Sequence, residues 1–192
     1  MPRMTKRFET DEVIYRGRVA EVHKVGVRMP DGKVVPRDYI HYNGAAVILP
    51  VLDDGRIVMI RNWRFAVNED LWELPAGMID AGEDPAATAG RELTEETGYT
   101  AGRLEPLGWF WTGPGTTDEH MHPYLATELV AGPQRLERYE QITVEILTGE
   151  RAIEMIRDGT IHDAKTIAAD FLAMVEDYVK SHYAPKAGAL QS

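Results

Sequence analysis

Residues 77–99 read GMIDAGEDPAATAGRELTEETGY, with four glutamates and one arginine between Gly77 and Gly98. On a helix, Glu92, Glu95 and Glu96 stand at i, i+3 and i+4, so they share one face within about one turn. Like charges at that spacing repel by about 0.2–0.5 kcal/mol per exposed pair. Arg91, four residues before Glu95, can bridge to it and relieve part of that cost. A divalent cation relieves the rest better. Carboxylate oxygens and water are the preferred ligands of Mg²⁺ or Mn²⁺, and Mg²⁺ accompanies phosphorylated substrates. The helix by itself leaves two readings open, a metal site and a solvated acidic face.

The side chains need a helix with defined ends. Asp84 is a good N-cap, Pro85 suits the first helical position, and Gly98 sits where a left-handed C-cap belongs. The expected helix is therefore 85–97. Ahead of it the pattern is β: 11–19 and 20–29 alternate, and Asp31-Gly32 turns the chain into 33–42. A second hairpin is expected from 45–51 through Asp53-Asp54-Gly55 into 56–63. The run AAVILPVL predicts a strand buried on both faces. A loop with Pro75 and Gly77 then leads into the helix.

Beyond the helix, 107–111 and 120–127 read as strands flanking the loop TGPGTTDE, and 142–147 as another strand. The segment 149–157 reads as a short helix stopped by Gly159, and 163–183 as a longer amphipathic one. In the latter, Ile167, Phe171, Met174, Val175 and Tyr178 recur at helical spacing, which is core packing. The first eight residues and 184–192 are expected to be disordered. The pattern predicts an α/β architecture, with helices on both faces of a mixed sheet after a small N-terminal antiparallel β element.

Composition narrows the function. The 192 residues suit one domain with a small appended element, and 44% hydrophobic content can build a core. With a formal net charge of −10 and no Lys/Arg-rich block, a nucleic-acid partner is not expected. The absence of cysteine excludes disulfides, thiolate metal sites and a cysteine nucleophile. The N-terminus has no apolar signal region and no apolar run reaches membrane length, so a soluble cytoplasmic protein is expected, without a membrane partner. The six histidines show no metal-ligand spacing, and His120 and His122 read as strand or loop residues.

Taken together, Gly77, Glu83, Arg91-Glu92-Leu93, Glu95-Glu96 and Gly98-Tyr99 stand at the spacing of a known signature. Seven identities at set spacings arise by chance at roughly 10⁻⁸ per starting position. The segment resembles the box of the Nudix hydrolases, with Tyr99 where the family more often has an aliphatic residue. The resemblance implies an α/β/α sandwich and cleavage of a pyrophosphate bond in a nucleoside diphosphate linked to another group. It implies that Glu92 and Glu96 bind divalent metal, with Glu95 close behind and the Ala76 carbonyl joining them. It gives Glu83 and Arg91 a bracing role. Such a cation also explains how an acidic protein binds an acidic substrate.

Flanking segments are similar to one branch of the family. Arg61-Asn62-Trp63-Arg64 and the residues WELPAG ending at Gly77 resemble the RQYR and ELPAG segments of ADP-ribose pyrophosphatases. GPGTTDEHMHPYLAT and DGTIHDAKTIAA resemble later segments of that branch, and Pro114 falls sixteen residues past Gly98. The likeness covers about 45–175 and implies Mg²⁺-dependent hydrolysis of ADP-ribose, or of a related nucleoside diphosphate sugar such as GDP-mannose. It also implies a homodimer that exchanges the N-terminal element, 1–42, beside a catalytic domain at 43–183. Asn62-Trp63 and Thr116-Thr117 depart from the branch's usual residues and bear on sugar and base preference.

Several roles outside the box follow as expectations. Arg64 suits a substrate phosphate, because its fork makes bidentate contacts; a surface salt bridge is its other reading. Glu73 is a candidate acceptor for a substrate hydroxyl or amine, or a member of an ion pair. Pro114 and Glu119 belong to the substrate loop, Glu119 being an inert loop residue on the other reading. Glu140, with Glu137 second, matches the loop glutamate that positions or deprotonates water, while Glu95 and Glu96 complete the catalytic set. Trp63, Trp72, Trp109 and Trp111 either stack on a base or simply pack. A non-catalytic ADP-ribose sensor is the competing class; it is disfavoured by the complete set of box carboxylates and by the few residues left after the last helix for a DNA-binding domain.

Overall fold

The computed structural model describes residues 8–170 and 172–173. In order, the elements are β1 (Phe8–Arg16), β2 (Glu21–Arg28), β3 (Val34–His41), β4 (Ala45–Pro50), β5 (Ile57–Arg64), β6 (Glu69–Glu73), β7 (Ala76–Met78), α1 (Pro85–Thr97), β8 (Tyr99–Pro106), β9 (Phe110–Trp111), β10 (His120–Ala131), β11 (Ile142–Leu147) and α2 (Gly149–Arg157). Residues 164–170 are helical as well. Among the described residues, no helix is long and apolar enough to cross a membrane. The chain falls into two compact units, one running to Gly44 with Phe110–Met121 added, the other made of Ala45–Trp109 and the residues from His122 on.

In the N-terminal unit, β1, β2 and β3 form an antiparallel sheet in that order. The turn at Asp31-Gly32 is set by Gly32 at φ 84°, whose N–H donates to the Met29 carbonyl at 2.9 Å. Phe8 already pairs with Val27, so the first strand begins within the stretch expected to be disordered. Residues 110–121 group with these strands: the Ile40 N–H donates to the Thr116 carbonyl at 2.9 Å, and β9 pairs with His120 and Met121.

The larger unit holds a sheet ordered β7-β4-β10-β8 and a second ordered β11-β5-β6. The helix α1 touches β4, β7 and β8 of the first and β5 and β11 of the second. Its Ala89 and Leu93 pack with Ala46, Ile48, Tyr124 and Ala126 in a fully apolar core. As expected, β4 is buried at every position, and that has a consequence for the expected 45–63 hairpin. Because β4 fills both edges with β7 and β10, β5 joins the other sheet, and a Val51–Ile57 bridge links the two.

Other expectations also shift. Residues 69–73 and 76–78 form strands where a loop was expected, and 107–111 is a strand only at its last two residues. The strand β8 was not anticipated, because Gly102 interrupts its apolar pattern. That glycine faces Glu128, which has φ 57°; a Cβ at 102 would lie 2.7 Å from the Glu128 Oε2. Of the expected helix 163–183, residues beyond 173 lie outside the described residues, as does the 184–192 tail.

Candidate active site

The acidic helix is punctuated as its sequence demands. Asp84 caps α1 by accepting from the Ala86 N–H, Pro85 opens it, and Gly98 closes it at φ 77°. Leu93 and Ala89 face the core, which turns Glu92, Glu95 and Glu96 toward β7 and the loop before β11. Glu96 is 3% exposed. Its Oε2 accepts from the Ala76 N–H at 2.9 Å, which ties the helix to the strand that precedes the box. Burial, with Glu92 and Glu140 nearby, pushes the Glu96 carboxyl up to about 8 despite that hydrogen bond and the Arg64 charge. Glu92 is also raised, chiefly by burial and against the pull of Arg91.

Glycine at 77 is required by space. A Cβ there would sit 2.0 Å from the Glu92 carboxyl carbon. Arg91 reaches four groups: Glu83 through Nε at 3.2 Å and Nη2 at 3.1 Å, Glu92 Oε1 at 2.6 Å, Glu95 Oε2 at 3.1 Å and the Met78 carbonyl at 3.5 Å. Its guanidinium holds the Glu83 carboxyl down at about 2. The three helix carboxylates are neighbours bridged by Arg91 in part. Among the described residues, no three Asp, Glu or His side chains already meet as a ligand set.

A second charged cluster centres on Glu73 of β6. Glu73 is 0% exposed. It takes Arg64 Nε at 2.7 Å and Nη2 at 2.6 Å, and Lys165 Nζ at 2.7 Å. Its carboxylate is therefore engaged within the protein, as in the ion-pair reading of this residue. Arg64 keeps Nη1 clear of this pair, and its side chain is 41% exposed. Lys165 also meets Asp163 Oδ2 at 3.0 Å, and Thr166 donates to that same oxygen at 2.6 Å while accepting from the Leu74 N–H at 2.8 Å. Sequence reasoning assigned no role to Asp163, Lys165 or Thr166, although DAKT was a visible segment.

The loop before β11 is latched to the C-terminal end of α1. Gln134 Nε2 donates to the Glu96 carbonyl at 2.6 Å, and the Arg135 N–H to the Glu95 carbonyl at 2.9 Å. These bonds satisfy carbonyls that a helix end leaves open. Farther along, Glu140 Oε2 accepts from the Glu137 N–H at 2.7 Å, while the Glu140 N–H donates to the Glu137 carbonyl. The Glu140 charge still acts on Glu92 and Glu96.

Pro114 and Glu119 belong to the N-terminal unit, where Glu119 accepts from the Thr112 hydroxyl. Among the tryptophans, Trp72 lies under the Arg61 guanidinium at 5.1 Å, and Trp63, Trp109 and Trp111 are each more than 40% exposed.

This fold and this site define a class. A model of the Nudix domain matches residues 41–169, and the chain belongs to that family as a Nudix pyrophosphohydrolase. It is 36% identical over 171 residues to the ADP-ribose pyrophosphatase of Bacillus subtilis (strain 168), covering 88% of this chain and 92% of that protein. It is 34% identical over 150 residues to the GDP-mannose pyrophosphatase of Cronobacter sakazakii, covering 71% and 78% respectively. A crystal structure of an ADP compounds hydrolase superposes with a TM-score of 0.75 at 24% identity, covering 91% of this chain and 94% of the other, and shows the shared mixed α/β fold.

Nudix hydrolases generally need divalent metal ions. The residues present fit such an ion. Glu92, Glu95 and Glu96 offer hard oxygen donors, and burial pushes the carboxyls of Glu92 and Glu96 up, a cost that a cation would relieve. The close approach of Glu92 to Gly77 also brings a carboxylate beside the Ala76–Gly77 backbone.

Proposed function

We propose that this enzyme hydrolyses ADP-ribose to AMP and ribose 5-phosphate. One water is consumed: its oxygen bonds to one phosphorus, the bridging P–O bond breaks, and the other phosphate leaves. The observation that carries this reading is the pair of carboxyls raised by burial, Glu92 and Glu96, with the part-exposed Arg64 guanidinium acting on Glu96. An anionic pyrophosphate needs both halves, a cation on the carboxylates and a guanidinium fork. Similarity to the B. subtilis ADP-ribose pyrophosphatase over most of both chains supports the substrate.

In this reading Glu92, Glu95, Glu96 and the Ala76 carbonyl hold magnesium, with manganese as the alternative. The bound ion supplies neutralisation of the pyrophosphate and a lowered pKa for the attacking water. Arg64 orients a substrate phosphate, and Glu73 supports Arg64 from behind. Glu140, whose charge already acts at Glu92 and Glu96, leaves the Glu137 N–H to accept the proton of water. Glu83 and Arg91 brace the helix against the loop. Pro114 and Glu119 contribute to the substrate loop.

The protein works as a cytoplasmic homodimer in this reading, with residues 1–42 exchanged and 43–183 catalytic. Deleting 1–42 gives monomeric or insoluble protein; an active monomer contradicts the exchange. GDP-mannose is the second candidate substrate, favoured by the similarity to the C. sakazakii enzyme. A panel of ADP-ribose, ADP-glucose, GDP-mannose, dinucleoside polyphosphates and deoxynucleoside triphosphates decides among them. Absence of AMP release from ADP-ribose at any magnesium or manganese concentration refutes the specific reading.

A further inference from the structure

Residues 73–76 are held at four consecutive positions. Glu73 is gripped by Arg64 and Lys165, the Leu74 N–H by the Thr166 hydroxyl, the Pro75 carbonyl by the Ile48 N–H at 2.9 Å, and the Ala76 N–H by Glu96. The two outer contacts lead directly to the candidate machinery, one to the Arg64 guanidinium and one to the Glu96 carboxylate. The grip on Glu73 and Leu74 comes from residues 163–166, which are 92 positions away in sequence from the groups they hold.

We infer that Lys165 and Thr166 are positioning residues for the reaction. Lys165 sets the Arg64 guanidinium through Glu73, and Thr166 sets the Ala76 N–H through Leu74. The inference rests on reading Arg64 as the phosphate contact and Glu96 as a metal-site carboxylate.

The physical basis is charge and geometry. Two cations, Arg64 and Lys165, share the Glu73 carboxylate, and Asp163 balances the second of them, so the cluster is neutral as a whole. Bidentate pairing through Nε and Nη2 fixes the plane of the Arg64 fork and leaves Nη1 outside the pair. Without Lys165, Glu73 Oε2 loses one of its two donors and the carboxylate is free to rotate, taking the fork with it. Thr166 is 0% exposed and spans Asp163 and Leu74 through one oxygen. Without its hydroxyl, the Leu74 N–H is left unpaired in a buried place, and the strand between Glu73 and Ala76 must shift to satisfy it. A shift of about 1 Å in a positioning group is enough to cost up to a hundredfold in rate.

The test uses the full-length protein and the variants Lys165→Met, Lys165→Arg, Thr166→Val and Thr166→Ser. Steady-state kinetics at saturating magnesium are read per folded molecule, with ADP-ribose as substrate. Lys165→Met is expected to raise KM roughly tenfold with kcat within about twofold, the size of one charge-assisted hydrogen bond. Lys165→Arg restores most of it. Thr166→Val is expected to lower kcat roughly tenfold, and Thr166→Ser to recover it.

Calorimetric binding of ADP, which carries the pyrophosphate and needs no turnover, weakens in Lys165→Met by the same factor as KM rises. A change in either pair that its conservative partner rescues supports the inference. Lower melting temperatures with unchanged KM, kcat and ADP affinity in both pairs overturn it, leaving 163–166 as scaffold alone. If Lys165→Met or Thr166→Val does not fold, Lys165→Gln and Thr166→Ala, which also remove the charge or the hydroxyl, take their places, and unaltered constants in both overturn it equally. Failure of wild type to cleave ADP-ribose refutes the substrate reading only; the ADP measurement then decides the positioning role.

Discussion

Glu73 and Glu96 are both glutamates buried in the same unit, yet their surroundings are opposite. Glu73 receives three hydrogen bonds from two cationic side chains. Glu96 receives one backbone N–H, faces the charges of Glu92 and Glu140, and is pushed up to about 8. A buried carboxylate with its cations in place is structural, because taking one partner away leaves a charge stranded. A buried carboxylate without them is costly to ionise, and a protein retains that cost where an external cation supplies the missing charge.

Glu96→Gln gives the largest expected effect: kcat falls at least about a hundredfold, with stability retained. Retained turnover breaks the comparison. Glu73→Gln should do the reverse, lowering unfolding free energy by about 3 kcal/mol in denaturant titration, since Arg64 and Lys165 lose their partner. If Glu73→Gln instead loses turnover at full stability, the two carboxylates are alike after all. Gly77→Ala comes next. The added methyl displaces the Glu92 carboxyl, and kcat/KM should fall at least about tenfold with little change in circular dichroism.

The pH dependence is smaller and has a definite sign. Glu96 must shed its proton to meet a cation, so calorimetric Mg²⁺ affinity should rise with pH, approaching tenfold per unit below about 8, and level off above it. In metal-free protein the unfolded chain loses that proton first, near the ordinary glutamate value. The contribution of Glu96 to stability is therefore highest below that value and is lost as pH climbs toward 8.

The smallest effect is at Asp170, a third buried acid raised to about 7 by burial alone, whose two oxygens have no hydrogen-bond partner among the described residues. Asp170→Asn should raise the unfolding free energy at pH 8 by on the order of 1 kcal/mol, and leave it unchanged near pH 4. Added magnesium should not alter that difference, which separates a merely uncompensated acid from one that meets a cation.

The helix α1 was legible to the residue, because its caps and its proline are local signals that depend on nothing distant. The strands β2, β3 and β11 were legible for a similar reason: alternation and turn residues lie within a few positions of each other. What escaped was non-local. The strand β6 is polar for much of its length and exists because β5 offers it an edge, while β8 exists because β10 pairs with it across Gly102. The hairpin expected at 45–63 failed because two continuous strands look alike whether they pair with each other or with third parties. At the site, the box residues were readable from spacing. An ion pair was one of two readings of Glu73, but its partner Lys165 could not be named, since it lies 92 positions along the chain. Gln134 carried no pattern that could announce a helix-end latch.

That latch decides where the chain can change length. Gln134 and Arg135 are pinned to α1, and Ile142 is pinned by pairing with Asn62. Residues 136–141 are therefore the spare span, and Glu140 rides within it. Lengthening the chain ahead of Gln134 pulls the pin and uncovers the helix end. Lengthening it after Arg135 leaves both anchors seated and alters only the reach of one carboxylate. Relatives of this enzyme, natural or made, can vary the span of that single side chain there at little expense to the fold.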